Sequence, residues 1–112
     1  MANRIAYFEI VGDDAARLRE FYGKAFGWDI DQLRTPGYAR IDEGAGIPGG
    51  IREEKDEPPD KVFYVQVPDL NAALRRIEDA GGQIMLEPTE MPGVTFALFR
   101  DPGGNMMGLV KE

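Results

Sequence analysis

The residues best suited to chemistry lie near the start of the chain, in the run RIAYFEIV at 4–11. Glu9 is a carboxylate among apolar and aromatic residues, and Tyr7 stands two positions before it. Residues two apart on a β-strand share a face, so both side chains should point the same way. A carboxylate in such surroundings is a candidate general base. The alternative is a structural Glu9 that satisfies backbone donors or pairs with Arg40 or Arg100.

A second run, VFYVQV at 62–67, has the same character. Its alternation places Val62, Tyr64 and Gln66 on one face. When Asp14 and Asp69, 55 positions apart, are superposed, Tyr64 takes the position of Glu9. We therefore interpret Glu9 and Tyr64 as the candidate catalytic residues.

The composition excludes several classes of chemistry. The chain has 112 residues with no cysteine and no histidine, which rules out thiolate nucleophiles, disulfides and the commonest transition-metal ligands. The net charge of −7 argues against a nucleic-acid partner. We find neither a secretory signal nor a run of membrane-spanning length, so we expect a cytoplasmic protein with no membrane partner.

Hydrophobic periodicity predicts a β-α-β-β-β module twice. We expect one domain, 1–112, made of modules 1–52 and 62–112. The connector at 53–61 lies in a stretch dominated by charge and proline, which is typical of a solvated linker. The first helix should begin at an N-cap, Asp13, and end at Gly27, and the second should run from Asp69 to Gly81. The predicted strands are 4–11, 28–34, 38–42, 46–52, 62–67, 83–87, 94–100 and 105–111.

The motifs FYGKAFGW (21–28), GGI (49–51) and DPGGN (101–105), with the longer runs around them, resemble the vicinal oxygen chelate superfamily. That superfamily includes glyoxalase I, extradiol dioxygenases, and fosfomycin and bleomycin resistance proteins. The chain is most similar to its glyoxalase-like branch, related to lactoylglutathione lyase. The resemblance implies an α+β fold in which two βαβββ modules pair into an open, U-shaped eight-stranded sheet with the helices outside. The modules would pair within one chain or be exchanged between two.

The resemblance also implies where metal ligands would stand. Carried over by position, the four ligand positions are Tyr7, Gly50, Val62 and Gly108, the last of these three residues after Asn105. Divalent metals need several N, O or S donors at fixed geometry, and a lone tyrosine cannot supply them. We therefore predict no metal and no cofactor. The glycine-rich run 44–50 is not a phosphate loop, because it neither opens a helix nor carries the required Lys-Ser/Thr pair.

Other side chains could line a ligand cavity between the modules. Aromatic residues at strand positions are candidate walls, although such residues are often core instead. The predicted ligand contacts are Tyr7, Trp28, Tyr38, Val62, Gln66, Phe96, Phe99, Met107 and Gly108.

Together these features predict a metal-free glyoxalase-like protein that binds a small organic molecule in that cavity. One alternative is a metal-independent lyase, isomerase or hydroxylase that uses Glu9 as base. Another is a resistance protein that sequesters a drug. We expect a homodimer, because small modules with open sheets bury too little surface alone.

Overall fold

The computed structural model describes residues 2–31 and 37–112. The chain forms two compact units, Tyr7–Val62 and Phe63–Glu112, the latter joined by the residues before Tyr7. The fold is α+β, as predicted, and the described residues form seven strands and two α-helices. In chain order the elements are β1 (Ile5–Gly12), α1 (Ala15–Phe26), β2 (Tyr38–Ile41), a 3-10 turn (Glu43–Ala45), β3 (Gly49–Glu53), β4 (Asp60–Val67), α2 (Leu70–Asp79), β5 (Gln83–Met91), β6 (Val94–Arg100) and β7 (Met106–Lys111).

In the first unit, β3 lies between β1, which is parallel to it, and β2, which is antiparallel. Helix α1 covers one face of these strands. Phe8 and Ile10 of β1 pack on that side with Leu18 of the helix. The buried core beneath α1 consists of Ala15, Ile30, Ala39, Ile41 and Ile51.

Helix α1 begins one residue later than the sequence predicts. Asp14, in an extended conformation, is the N-cap, and its side chain accepts from the Arg17 amide at 3.0 Å. The prediction of Asp13 as the cap was wrong; its carbonyl oxygen instead accepts a hydrogen bond from Lys55 at 2.9 Å. Gly27 closes the helix as predicted, with a φ of 69° that favours glycine.

The second unit has the strand order β4-β7-β6-β5. β4 and β7 are parallel, and the other neighbours are antiparallel. Asp69 caps α2 as predicted and accepts from the Ala72 amide at 3.1 Å. The backbone N–H of Gln66 donates to the backbone carbonyl of Arg4 at 2.9 Å, which ties the residues before Tyr7 to this unit. Its core is Val67, Leu70, Ala73, Leu74, Ala97 and Leu109.

The described residues contain seven of the eight strands that the sequence predicts, and two predictions differ most from the structure. In the described part of 28–34 the only pairing is an isolated bridge between Ile30 and Ile41, and residues 32–34 lie outside the described residues. Strand β5 runs on to Met91, beyond the predicted 83–87, with shifts in register after Ile84 and Leu86. Irregular strands leave a weaker alternation than regular ones, so their ends are harder to predict.

The charged connector is shorter and better anchored than predicted. Strand β3 reaches Glu53 and β4 begins at Asp60. Glu53 accepts a hydrogen bond from the Ala15 amide at 3.0 Å, at the start of α1. Within the described ranges, neither helix is long and apolar enough to cross a membrane.

The position of the cap can be tested by paired substitutions. Asp14→Ala should lower the free energy of unfolding by about 1 kcal/mol, because it removes the N-cap acceptor. Asp13→Ala should leave it nearly unchanged, because the side chain of Asp13 is exposed and only its carbonyl is engaged. Urea denaturation measures both. A larger loss from Asp13→Ala would contradict the observed cap.

Candidate functional site

Six polar, aromatic or glycine residues of the first unit lie on the face that points away from α1. Since Phe8 and Ile10 pack beneath the helix, Tyr7 and Glu9 point to the other side of β1. The pairing of Glu9 with Gly50, and of Gly50 with Arg40, carries this face across β3 and β2. We call it the polar face; its residues are Tyr7, Glu9, Tyr38, Arg40, Gly50 and Arg52.

The hydroxyl groups of Tyr7 and Tyr38 meet on this face in a hydrogen bond. They do so directly over Gly50. A Cβ atom at position 50 would overlap the Tyr38 hydroxyl and would lie 2.7 Å from the Tyr7 hydroxyl. The tyrosine pair therefore depends on glycine at this position.

Tyr7 is a weakened acid in this environment. Burial raises the pKa of its phenol above the ordinary value. The hydrogen bond with Tyr38 acts to lower this pKa, the charge of Glu9 raises it and that of Arg40 lowers it, but burial prevails. Tyr7 is therefore a neutral hydroxyl at physiological pH.

Glu9 is 8% exposed and forms an ion pair with Arg52, with Nε and Oε1 3.2 Å apart. The other end of the guanidinium holds Glu54, 2.7 Å from Nη1. Burial acts to lower the pKa of Arg52, but the charge of Glu9 and the hydrogen bonds with both carboxylates raise it. The sequence suggested Arg40 or Arg100 as the ion-pair partner of a structural Glu9. The partner observed is Arg52. The available clue was that Arg52 lies two residues after Gly50.

In the second unit, Tyr64 lies over Gly108. The two residues are partners in the parallel pair of β4 and β7. A Cβ atom at position 108 would overlap the Tyr64 ring, which is 6% exposed. Gly108 is thus a place of close approach, and a tyrosine ring occupies the space that a side chain there would need.

The two units match in register. Glu9 pairs with Gly50 in β1 and β3, just as Tyr64 pairs with Gly108 in β4 and β7. Gln66 and Phe96 both pair with Val110, on the same side of the second unit as Tyr64. Val62, another predicted ligand contact, is buried, with 2% of its surface exposed.

Three predicted ligand contacts lie on the helix-facing sides instead. Trp28 packs against the first core, and its ring stacks on that of Tyr22 with centroids 5.3 Å apart. Phe99 packs against the core beneath α2, and Met107 pairs with it on β7. These placements favour a role in the hydrophobic core for all three side chains. For the aromatic residues, this is the alternative to ligand contact that the sequence left open.

A polar cavity of about 250 Å³ lies beside Arg40 and was not predicted. Its lining is Asp29, Asp31, Arg40 and Asp42. The sequence signal was present, because these residues alternate with the buried Ile30 and Ile41. Arg40 also belongs to the polar face, where its charge acts to lower the pKa of Tyr7.

The residues present do not fit the metal site that the resemblance implies. The positions hold tyrosine, glycine, valine and glycine, and tyrosines cover both glycines. Within residues 2–31 and 37–112, no three acidic side chains converge as a metal would require.

The chain belongs to the Glyoxalase/Bleomycin resistance protein/Dioxygenase superfamily, whose family model matches residues 4–109. This confirms the resemblance. Two curated relatives are the anthracycline biosynthesis proteins DnrV of Streptomyces peucetius and DauV of Streptomyces sp. strain C5. Each is 26% identical over 119 aligned positions that cover 88% of this chain and 43% of the relative. The chain therefore spans less than half the length of these relatives.

Solved structures share the fold. A hypothetical protein from Bacillus halodurans C-125 has a TM-score of 0.76 at 14% identity, covering 100% of this chain and 96% of that one. Methylmalonyl-CoA epimerase from Mycobacterium tuberculosis has a TM-score of 0.69 at 17% identity, covering 96% and 86%. The Mn(II)-bound glyoxalase from Novosphingobium aromaticivorans has a TM-score of 0.70 at 17% identity, covering 98% and 40%. At these identities the likeness establishes the fold alone.

The tyrosine packed on Gly108 predicts a specific cost. Gly108→Ala should lower the free energy of unfolding by about 1–3 kcal/mol, because the new methyl group overlaps the Tyr64 ring. In a Tyr64→Leu background the cost should shrink. Gly23→Ala is the matched control; a Cβ there is 3.8 Å from the nearest heavy atom, so it should gain up to about 1 kcal/mol from helix propensity. An equal cost in both backgrounds would contradict the packing.

The buried phenol of Tyr7 predicts an effect at alkaline pH. Its folded-state pKa lies above the unfolded value of about 10, so its contribution to stability is complete below that pH and is lost as pH rises through the folded pKa. In a phenolate absorbance titration, one ionisation above the ordinary tyrosine pKa should disappear in Tyr7→Phe and persist in Tyr22→Phe. Persistence of that step in Tyr7→Phe would contradict the assignment.

Proposed function

We propose that this protein binds a small aromatic molecule without a metal ion, using the polar face of its first unit. The observation that carries the proposal is the packing of tyrosines over Gly50 and Gly108. Both positions would supply metal ligands in chelating members of the superfamily. Here a carboxylate or imidazole at either position would first have to displace a tyrosine.

The polar face offers recognition groups suited to such a ligand. Two half-buried tyrosines supply ring surface together with hydroxyl donors and acceptors. Arg40 supplies an exposed cationic group at the edge of the same face. A few converging polar groups beside aromatic surface are typical of small-molecule sites.

The names of the relatives support an aromatic ligand. DnrV and DauV are described as anthracycline biosynthesis proteins, and anthracyclines are fused aromatic molecules. For this chain we propose only that the ligand is likewise an aromatic molecule. The fold it shares with metal-using proteins does not require a metal here.

Binding to an anthracycline, followed through the fluorescence of the ligand, tests the proposal. Titration should give saturable binding that is unchanged by EDTA, and elemental analysis should find no stoichiometric metal. Tyr7→Leu and Tyr38→Leu should each weaken binding by about tenfold, since an aromatic contact contributes about 0.5–1.5 kcal/mol beyond its buried area. Tyr22→Leu, on the helix side, is the control and should bind normally.

A tightly bound metal ion would contradict the proposal. About one Zn, Ni, Fe or Mn ion held per chain, with binding lost in EDTA and restored by that ion, would overturn the metal-independent proposal. Gly108→Glu by itself should not create a metal site, because Tyr7 and Val62 still offer too few donors.

A second candidate function is metal-independent proton abstraction by Glu9. The observation in its favour is a nearly buried carboxylate on the same face as two tyrosines. Exchange of the acidic carbon-bound hydrogen of a β-keto ester for deuterium, measured against the rate without protein, tests it. Glu9→Gln should abolish the acceleration and leave anthracycline binding intact. Unchanged exchange in Glu9→Gln would remove Glu9 as a base.

A further inference from the structure

The Tyr7 and Tyr38 hydroxyls form a compact hydrogen-bonding unit. They contact each other over Gly50, where the backbone carries no side chain. Hydroxyl hydrogens rotate about the C–O bond, so an anionic oxygen that arrives at the pair can replace a weaker acceptor. Hydrogen bonds from neutral hydroxyls to an anionic oxygen are about twice as strong as those to a neutral one.

The charges around the pair act on an anion in opposite directions. The carboxylate of Glu9 faces the same side and its charge disfavours a negative oxygen beside Tyr7, while Arg52, 3.2 Å from that carboxylate, offsets part of this charge. Arg40 lies on this face too, and its charge acts on the Tyr7 phenol in the sense that favours a negative oxygen. The net charge of −7 is spread over the chain and is screened beyond about 8 Å at physiological ionic strength. Local donors therefore decide which ligand binds.

Tyr7 is suited to remain a donor. Burial raises its pKa, so it keeps its proton at neutral pH instead of becoming a competing anion. Because the two hydroxyl oxygens are already held side by side, only their hydrogens need to turn towards a localised negative oxygen.

From this geometry we propose that the Tyr7 and Tyr38 hydroxyls form an oxyanion-binding pair, so that the ligand is a phenol or enol that binds as its anion. This rests on the proposed function and specifies its ligand class. On binding, the ligand's hydroxyl proton passes to solvent, and its anionic oxygen accepts hydrogen bonds from the tyrosine pair. The ligand's own pKa must therefore be lower in the complex than in solution.

A pair of probes separates this inference from binding in general. 4-Nitrophenol reports its own ionisation, because its phenol and phenolate forms absorb at different wavelengths. 4-Nitroanisole has nearly the same shape but no acidic hydroxyl. Both are titrated by absorbance at a pH below the pKa of free 4-nitrophenol, into the full chain and into variants that retain the wild-type unfolding transition.

The expected result is a bound 4-nitrophenol with a phenolate spectrum. Tyr7→Phe and Tyr38→Phe should each weaken its binding by about tenfold or more, as expected for loss of a hydrogen bond to a charged group. Each should weaken 4-nitroanisole binding far less, because the rings are retained and this probe carries no anionic oxygen. Tyr22→Phe should change neither. Since either hydroxyl variant is sufficient, failure of one to fold leaves the other to decide.

Two results would overturn the inference, and they are distinguishable. If both probes bind equally and the bound 4-nitrophenol remains neutral, the oxyanion pair is wrong while the proposed aromatic binding stands. If neither probe nor anthracycline binds, the proposed function fails and the inference fails with it.

Discussion

Gly50 and Gly108 must remain without side chains for Tyr38 and Tyr64 to keep their places, and much else depends on that close approach. At Gly50 it brings two hydroxyls into one hydrogen bond; at Gly108 it lays an aromatic ring on the backbone of β7. In both cases a glycine that weakens its strand is retained because a neighbouring side chain occupies the freed space. The same packing fills two of the positions at which the family resemblance implies metal ligands.

The buried negative charge on the polar face is neutralised by a neighbouring side chain. A nearly buried carboxylate is destabilising unless it is paired, and Arg52 supplies the partner for Glu9. Arg52 is in turn held by Glu54 at the beginning of the connector, and Glu53 caps the start of α1 through the Ala15 amide. The last residue of β3 and the first residue of the acidic connector therefore both stabilise the first unit.

Regular elements were predictable because their signals are local. Asp69, Gly27 and the full extent of β6 follow from capping chemistry and strand alternation. Asp13 and Asp14 are chemically equal as caps, so only the backbone conformation distinguishes them. Trp28 and Phe99 illustrate the same limit for the site, because an aromatic residue looks alike in sequence whether it packs beneath a helix or faces a ligand. Arg52 could not be predicted as the partner of Glu9 for a similar reason, because it begins a run of charged residues that is typical of a solvated linker.

The duplicated modules retain their register but differ in chemistry. Glu9 stands opposite Gly50 where Tyr64 stands opposite Gly108, so one pair presents a charge and the other an aromatic ring. In the first unit the glycine is covered from a different strand, by Tyr38 of β2, which leaves Glu9 to pair with Arg52. In the second unit the covering ring comes from the paired strand itself, and Gly108 has no carboxylate partner across the ladder. The ion-paired carboxylate therefore lies in the first unit, and a buried aromatic ring stands at the matching position of the second.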